Sequence, residues 1–273
     1  MTAITQTAPA GPAAIPLRRR VSPIEGLRHT LTLTWRVLVQ IKHNPMELMD
    51  FSVQPIMFVL LFTYVFGTQM AGSPEAYLQY MLAGIIVQNA LFATLNTGMG
   101  LNTDITKGVF DRLRSLPIAQ SAPLASRILS DSAKQAWSIV LILTIGMLIG
   151  FQPTSALGVL EAFALVLVFT MAFAWVAVLI GMVVDEPEKV MIFGFTTVFP
   201  LSFTSTAFVR IDTLPGWLQA WAKVNPVSNL ADATRGMLAG GPIASPTIKS
   251  LLWAAAIIAV AAPLAVRTLR RRV

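Results

Sequence analysis

Long runs without a charged residue dominate the pattern of polar and apolar positions along this chain. Such runs cover 51–74, 76–103, 135–160, 162–184, 190–209 and 250–266. Each is near or above the roughly 17–25 residues that a helix needs to cross a hydrocarbon layer about 30 Å thick. The pattern therefore predicts six membrane-spanning helices, at about 51–70, 78–101, 135–151, 158–184, 190–209 and 250–267.

The same runs exclude a membrane β-barrel. Barrel strands alternate polar and apolar residues in segments of about ten, and residues 55–62 read Pro-Ile-Met-Phe-Val-Leu-Leu-Phe without any alternation. The predicted fold class is thus an all-α polytopic membrane protein, with one transmembrane domain over 51–267.

An amphipathic segment precedes the first span. Its apolar residues recur every three or four positions, at Ile24, Leu27, Leu31, Trp35, Leu38 and Ile41. This spacing predicts a helix over 23–44 that lies along the inner membrane surface, where Trp and basic residues are enriched. The alternative is a helix packed on the cytoplasmic side of the protein itself. Residues 1–22 are predicted to be a disordered cytoplasmic tail.

The segment 209–249 is too charged to be a seventh span, yet it contains two stretches with helical spacing. Leu214, Trp217, Leu218, Trp221 and Val224 form the first, and Leu230, Thr234, Met237 and Leu238 form the second. Pro226 separates them, and a Gly-Gly-Pro sequence at 240–242 ends the second. We expect two short helices that rest at, or dip into, the outer interface; a structured external loop is the alternative.

The distribution of charge predicts the topology. All but four of the 20 basic residues lie in the N-terminal region, in the loops after the second and fourth spans, or at the C-terminal end, which comprises Arg267 and the basic tail 268–273. The four others are spread over the opposite side, at Arg210, Lys223, Arg235 and Lys249. Because Lys and Arg accumulate on the cytoplasmic side, both termini are expected in the cytoplasm.

The composition of the chain excludes most catalytic mechanisms. Only 12% of residues are charged and 55% are apolar, against about 25% and 45–50% in soluble domains. There is no cysteine, and both histidines precede the first span. No lysine follows a glycine, so no ATP-binding phosphate loop is present. We expect no catalytic residue, metal or cofactor on this chain. The spans contain no charged group that could bind a coupling ion, so if the protein moves a solute against a gradient, the energy must come from a partner.

One cytoplasmic segment has the pattern of a docking helix. Between Gly108 and Pro117, apolar residues occupy one arc of a helix and polar residues the remainder. The residues that define it are Val109, Phe110, Asp111, Arg112, Leu113, Arg114 and Leu116. Positive charge on a connecting loop would explain the arginines, but it does not explain the apolar arc.

Several sequence blocks resemble the membrane subunit of type 2 ABC exporters, in particular the daunorubicin/doxorubicin-resistance permease group. The blocks are TKGVFDRLRSLPIA at 106–119, FPLSFTSTAFV at 199–209, LPGWL at 214–218, NPVSNL at 225–230 and RG at 235–236. The resemblance implies a six-helix half-transporter that forms a homodimer and binds two copies of a separate ATP-binding subunit, which holds ATP and Mg. It further implies that 108–117 is the coupling helix and that 214–238 contains external re-entrant helices.

Candidates for the substrate path are uncharged polar and aromatic residues within the spans. They are Gln88, Asn89, Asn96, Phe199, Phe203 and Thr204, with Phe58, Phe62 and Phe66 as further ring positions. The polar groups would instead bridge neighbouring helices in the alternative interpretation, and the phenylalanines would only pack. Export of a hydrophobic drug or natural product, export of a lipid, polysaccharide or glycolipid, and a scaffold or sensor role all remain open.

Overall fold

The structure is a computed structural model that describes residues 23–43, 45–67, 72–109 and 122–272. Every regular element in these ranges is helical, which confirms the all-α class for the described chain. The helices are α1 Pro23–His43, α2 Pro45–Leu61, α3 Pro74–Thr106, α4 Ala122–Ile149, α5 Ala156–Val183, α6 Pro187–Phe203, α7 Gly216–Val224, α8 Pro226–Ala239 and α9 Ala244–Arg272. A π-helical turn, Phe62–Phe66, continues α2, and a 3-10 turn, Ile211–Thr213, precedes α7.

Within the described residues, four helical stretches are long and apolar enough to cross a bilayer. They are α3, α4, α5 and Ala244–Leu269 of α9. A shorter apolar stretch, Phe51–Phe66, runs through α2 and the π-helical turn. The chain is therefore a multi-pass membrane protein.

The sequence specifies several helix starts directly. The hydroxyl of Ser73 accepts a hydrogen bond from the Ala76 amide at 3.1 Å, and that of Ser155 accepts one from the Gly158 amide at 2.9 Å. The Asn225 side chain caps α8 in the same way. Each cap satisfies one backbone donor that the first helical turn leaves unpaired.

The most buried of the four long apolar helices, α3, packs against α4, α5, α6 and α8. Small residues allow its backbone to come very close to its neighbours. A Cβ on Gly98 would lie 2.5 Å from the carbonyl oxygen of Ala177 on α5, and one on Gly84 would collide with the carbonyl of Ala207. Close backbone approach at small residues is typical of helix pairs in membranes.

Two apolar clusters form the core. The larger surrounds α3 and includes Leu78, Leu82 and Phe169. The smaller contains Leu101, Leu124, Ile128, Val178, Met182 and Leu269, and joins the end of α3 to α4, α5 and α9. The second cluster thus fixes the ends of the helices that flank residues 107–121.

The amphipathic helix α1 packs on α4 through small polar residues. Thr30 and Thr34 are buried there, whereas Leu27, Leu31 and Trp35 on another face are exposed. The described part of the apolar stripe, Leu27, Leu31 and Trp35, therefore points away from the rest of the protein.

Two short helices follow the 3-10 turn, as predicted around Pro226, but they differ in burial. On α7, Trp217 and Trp221 are exposed. In contrast, α8 is buried against α3, α5 and α9, with Val227 and Leu230 fully covered. Its small residues permit this, and its charged residues are paired, as described below.

The helices are longer than the predicted spans near the 107–121 segment. The expected bounds 78–101 and 135–151 correspond to α3 and α4, which extend to Thr106 and begin at Ala122. The charged residues that limit these two apolar runs, Asp104 and Lys134, are each paired within the protein. Asp104 contacts Arg127 and Lys134 contacts Asp131, so both helices accommodate their charges. The predicted tail 1–22 and residues 110–121 lie outside the described residues.

Candidate functional site

A cavity of about 230 Å³ lies between α2, α3 and α6. Its wall is mainly aromatic and aliphatic, with three side-chain amides. The lining residues are Gln54, Phe58, Ile85, Gln88, Asn89, Phe92, Phe195, Phe199 and Phe203. This combination of a large apolar surface with a few polar groups is typical of a small-molecule site.

The phenylalanines of the wall belong to a continuous ladder of rings. Along α6, the ring centroids of Phe195 and Phe199 are 5.0 Å apart and those of Phe199 and Phe203 are 4.3 Å apart. Phe92 extends the ladder at one end, 5.6 Å from Phe195. The spacing of four residues places the three α6 rings on one side of the helix.

At its other end the ladder crosses from α6 to α2. The Phe203 ring lies 5.3 Å from that of Phe208, which in turn lies 5.3 Å from that of Phe62. Phe58 follows Phe62 at 5.8 Å. Stacked rings of this kind offer an apolar, polarisable surface for a flat ligand.

The three side-chain amides of the cavity differ in their burial and hydrogen bonding. Asn89 donates a hydrogen bond from Nδ2 to the hydroxyl of Ser138 on α4, at 2.8 Å. Gln88 is almost completely buried, whereas Gln54 is exposed. None of the described residues that line the cavity is charged. A ligand there would be recognised by ring contacts and hydrogen bonds rather than by a fixed charge.

Four of the six predicted path residues line this cavity, namely Gln88, Asn89, Phe199 and Phe203. The other two do not. Asn96 is exposed two turns further along α3. Thr204 ends α6, where its hydroxyl accepts a hydrogen bond from the Trp221 indole at 2.8 Å and donates one to the carbonyl of Pro200 at 2.6 Å. Thr204 therefore connects α6 to α7.

The predicted path residues do not include the whole cavity wall. Gln54, Ile85, Phe92 and Phe195 also line the cavity. The four-residue spacing of Phe195 with Phe199 and Phe203 is visible in the sequence and would have found one of them. Phe92 and Gln54 come to line the same cavity as the α6 rings only because α2 and α6 both pack against α3.

The predicted docking helix lies mostly outside the described residues. Phe110, Asp111, Arg112, Leu113, Arg114 and Leu116 belong to 110–121 and are not described. Val109 is described and exposed. Before it, α3 ends at Thr106 and Gly108 adopts a φ of 67°, a left-handed conformation that favours glycine and ends helices.

Several apolar helices around an uncharged aromatic cavity define a multi-pass membrane transport protein. Residues 28–238 match the family described as ABC-2 type transporter, and the chain belongs to this family. It is accordingly a permease of the ABC transporter class, which works with an ATP-binding subunit.

Similar proteins include drug-resistance permeases. The daunorubicin resistance ABC transporter permease protein DrrB1 of Streptomyces coeruleorubidus is 39% identical over 244 residues, which cover 89% of this chain and 86% of that protein. The probable doxorubicin resistance permease DrrC of Mycobacterium tuberculosis is 27% identical, with 87% of each chain covered. The putative transport permease ycf38 of Cyanophora paradoxa is 24% identical, over 77% of this chain and 73% of that protein.

Proposed function

We propose that this permease exports a hydrophobic drug or natural product, with a flat aromatic part, out of the cell. The observation that carries the proposal is the uncharged cavity, in which stacked phenylalanines provide apolar faces and Gln88 and Asn89 provide hydrogen-bonding groups. The daunorubicin and doxorubicin resistance named in the similar permeases supports this substrate class and a role in antibiotic efflux.

The proposed topology has six spans with both termini in the cytoplasm. The four long apolar helices supply four of the spans. The other two spans are α2 with its π-helical turn, which comes first in the chain, and α6. The 17 residues of α6 reach the lower limit for crossing a bilayer. The uneven distribution of Lys and Arg supports the orientation.

In this arrangement α1 lies along the inner membrane surface. The exposed stripe of Leu27, Leu31 and Trp35 supports this location, because the helix attaches to the protein through Thr30 and Thr34 instead. On the opposite side, α7 and α8 act as the external re-entrant helices. The exposed rings of Trp217 and Trp221 are of the type that anchors an element at a membrane interface.

The ATP-binding subunit is proposed to dock on residues 108–117, and the working complex to contain two permease chains and two ATPase chains. ATP and Mg are proposed to bind to the ATPase rather than to this chain.

The substrate proposal is tested by measuring efflux of a flat aromatic fluorescent dye from cells that contain this permease with its ATPase. Phe199→Ala should reduce efflux about tenfold or more, because it removes a ring that contacts two others in the cavity wall. Phe193→Ala is the matched control, since Phe193 is exposed on the same helix and does not line the cavity.

Equal efflux by wild type and Phe199→Ala would contradict the assignment of the cavity. A parallel assay with a fluorescent lipid analogue separates the substrate classes. ATP-dependent movement of the lipid analogue without dye efflux would overturn the drug proposal and favour lipid export.

The docking proposal is tested by co-purification of the ATPase. The double variant Phe110→Ala, Leu113→Ala should retain membrane insertion but lose most of the bound ATPase, since truncation of a buried anchor often costs about 2 kcal/mol or more of binding. Arg112→Glu should have a smaller effect, because an exposed ion pair contributes only about 0–1 kcal/mol. Thr106→Ala, at the exposed end of α3, is the control. Wild-type association of the double variant would exclude docking at this segment.

A further inference from the structure

Four charged side chains come together where α3 ends and α4 begins. Arg127 contacts two carboxylates, that of Asp104 through Nη1 at 3.2 Å and that of Asp131 through Nε at 3.1 Å. The second oxygen of Asp131 accepts a hydrogen bond from Lys134 Nζ at 3.0 Å. The cluster therefore contains two positive and two negative groups in contact.

Three members of this cluster are more deeply buried than an ordinary surface ion pair. The side chains of Arg127, Asp131 and Lys134 are 25%, 11% and 6% exposed, whereas that of Asp104, at the edge of the cluster, is 37% exposed. Removal of charges from water is costly, and well-packed apolar residues are often at least as stabilising as a buried ion pair. Stability alone is thus a weak explanation for four charges at this place in a chain with so few.

The contact between Arg127 and Asp104 joins the two helices that flank residues 107–121. Asp104 lies in the last turn of α3, and Arg127 lies in the second turn of α4. The guanidinium group rests against the α3 backbone at Gly100, where a Cβ would collide with Nη2 of Arg127. The absence of a side chain at Gly100 is what lets Arg127 reach across.

Helix α4 also contacts a residue of the cavity wall. Ser138 of α4 accepts the hydrogen bond from Asn89, which lines the cavity wall. Ser138 lies 11 residues after Arg127, about 16 Å along one continuous helix. One rigid element therefore carries both the ionic contact beside segment 107–121 and the polar contact beside the cavity.

We propose that Arg127 is a positioning residue that clamps α3 to α4, so that a displacement of segment 107–121 moves both helices together and reaches the cavity through Ser138 and Asn89. The inference rests on the proposed docking of the ATPase on residues 108–117. Without the clamp, the apolar cluster around Leu101, Leu124 and Ile128 alone joins the two helix ends, and they absorb part of the displacement. Hydrolysis then continues, but less of it drives transport.

The test compares ATP hydrolysis with substrate transport in proteoliposomes that contain the permease and its ATPase. Asp104→Asn keeps the size of the side chain and removes its charge; Arg127→Gln removes the guanidinium. Both should bind the ATPase as wild type does, while the amount transported per ATP falls about fivefold or more. A merely structural role would lower the yield of folded complex without changing this ratio.

A matched control is available in the exposed ion pair of Lys189 and Glu186, whose atoms are 2.9 Å apart and whose side chains are 48% and 59% exposed. Lys189→Gln removes one positive charge and one ionic contact, but this contact is local and does not connect two long helices. It should leave the ratio of transport to hydrolysis at the wild-type value.

Because the chain has no cysteine, a covalent substitute for the clamp is possible. The double variant Asp104→Cys, Arg127→Cys should be uncoupled, and a short bifunctional thiol reagent should restore transport per ATP. A wild-type ratio in Asp104→Asn, or no recovery after cross-linking, would overturn the clamp. Absence of ATP-driven transport in the wild-type complex would instead overturn the proposed function, so the two failures are distinguishable.

Discussion

At the scale of single residues, Arg235 holds together the region where α3, α6 and α8 meet. Its guanidinium donates hydrogen bonds to the carbonyls of Tyr80 and Thr206 at 3.1 and 2.9 Å, and to the carboxylate of Asp232 at 2.8 Å. It also lies 3.9 Å from the centre of the Tyr80 ring. One side chain thus connects the start of α3 with α8 and with the chain that follows α6.

We expect Arg235→Met to lower the free energy of unfolding by about 1–3 kcal/mol, because it removes the charged partner of Asp232 and one donor to each of the Tyr80 and Thr206 carbonyls. The Thr206 hydroxyl still donates to Asp232, and the Tyr80 hydroxyl to the Thr206 carbonyl. The measurement is unfolding of the detergent-solubilised protein, followed by tryptophan fluorescence. Arg210→Met is the control, since Arg210 is exposed. Equal midpoints for the two variants would show that the network contributes little.

The sequence indicated which residue types form the cavity, but it did not indicate which neighbouring helices pack against them. Amides and phenylalanines in charge-free helices stand out, which is why Gln88, Asn89, Phe199 and Phe203 could be named. Asn96 has the same chemistry and lies on the same face of α3 as Asn89, seven residues earlier. Only the packing of the neighbouring helices leaves Asn96 exposed.

At the scale of helices, the contact between α3 and α5 depends on glycine. A Cβ on Gly98 would stand 2.5 Å from a backbone oxygen of Ala177, an atom that cannot rotate away. Gly98→Ala should therefore separate the two helices and destabilise the protein by about 1–3 kcal/mol.

The same unfolding measurement checks this prediction. Gly216→Ala is the matched control, because nothing lies within 4 Å of a Cβ at Gly216. It should be neutral or slightly stabilising, since alanine restricts the unfolded chain. If Gly98→Ala unfolds with the midpoint of Gly216→Ala, the close contact between α3 and α5 is not required.

Helix type and order were predictable, since apolar runs and breakers such as Pro226 are written in the sequence. Helix ends and burial were less so. A charged residue ends each apolar run, but Asp104 is paired with Arg127 and Lys134 with Asp131, so α3 and α4 both continue past these charges. Likewise α8 carries charge, and its burial depends on the pairing of Arg235 with Asp232. Pairing between distant residues is a tertiary property that periodicity does not contain.

At the scale of the whole molecule, the proposed topology predicts opposite accessibility for two exposed positions. In the cysteine-free chain, Asp212→Cys should react with a membrane-impermeant thiol reagent added outside intact cells. Glu188→Cys, in the first turn of α6, should react only after the cells are opened. Reaction of Asp212→Cys only from the cytoplasmic side would invert the orientation.

The last prediction concerns assembly. Phe195, Phe199 and Phe203 line the cavity, yet they are 46%, 41% and 44% exposed within a single chain. A single chain thus leaves part of the aromatic wall uncovered, and a second copy related by symmetry would present the same rings. We expect two permease chains in each complex with the ATPase, detectable by mass measurement in a mild detergent. Phe193→Ala and Phe199→Ala should both retain this stoichiometry, because each removes only a small part of the contact. An active complex that contains one permease chain would overturn the prediction.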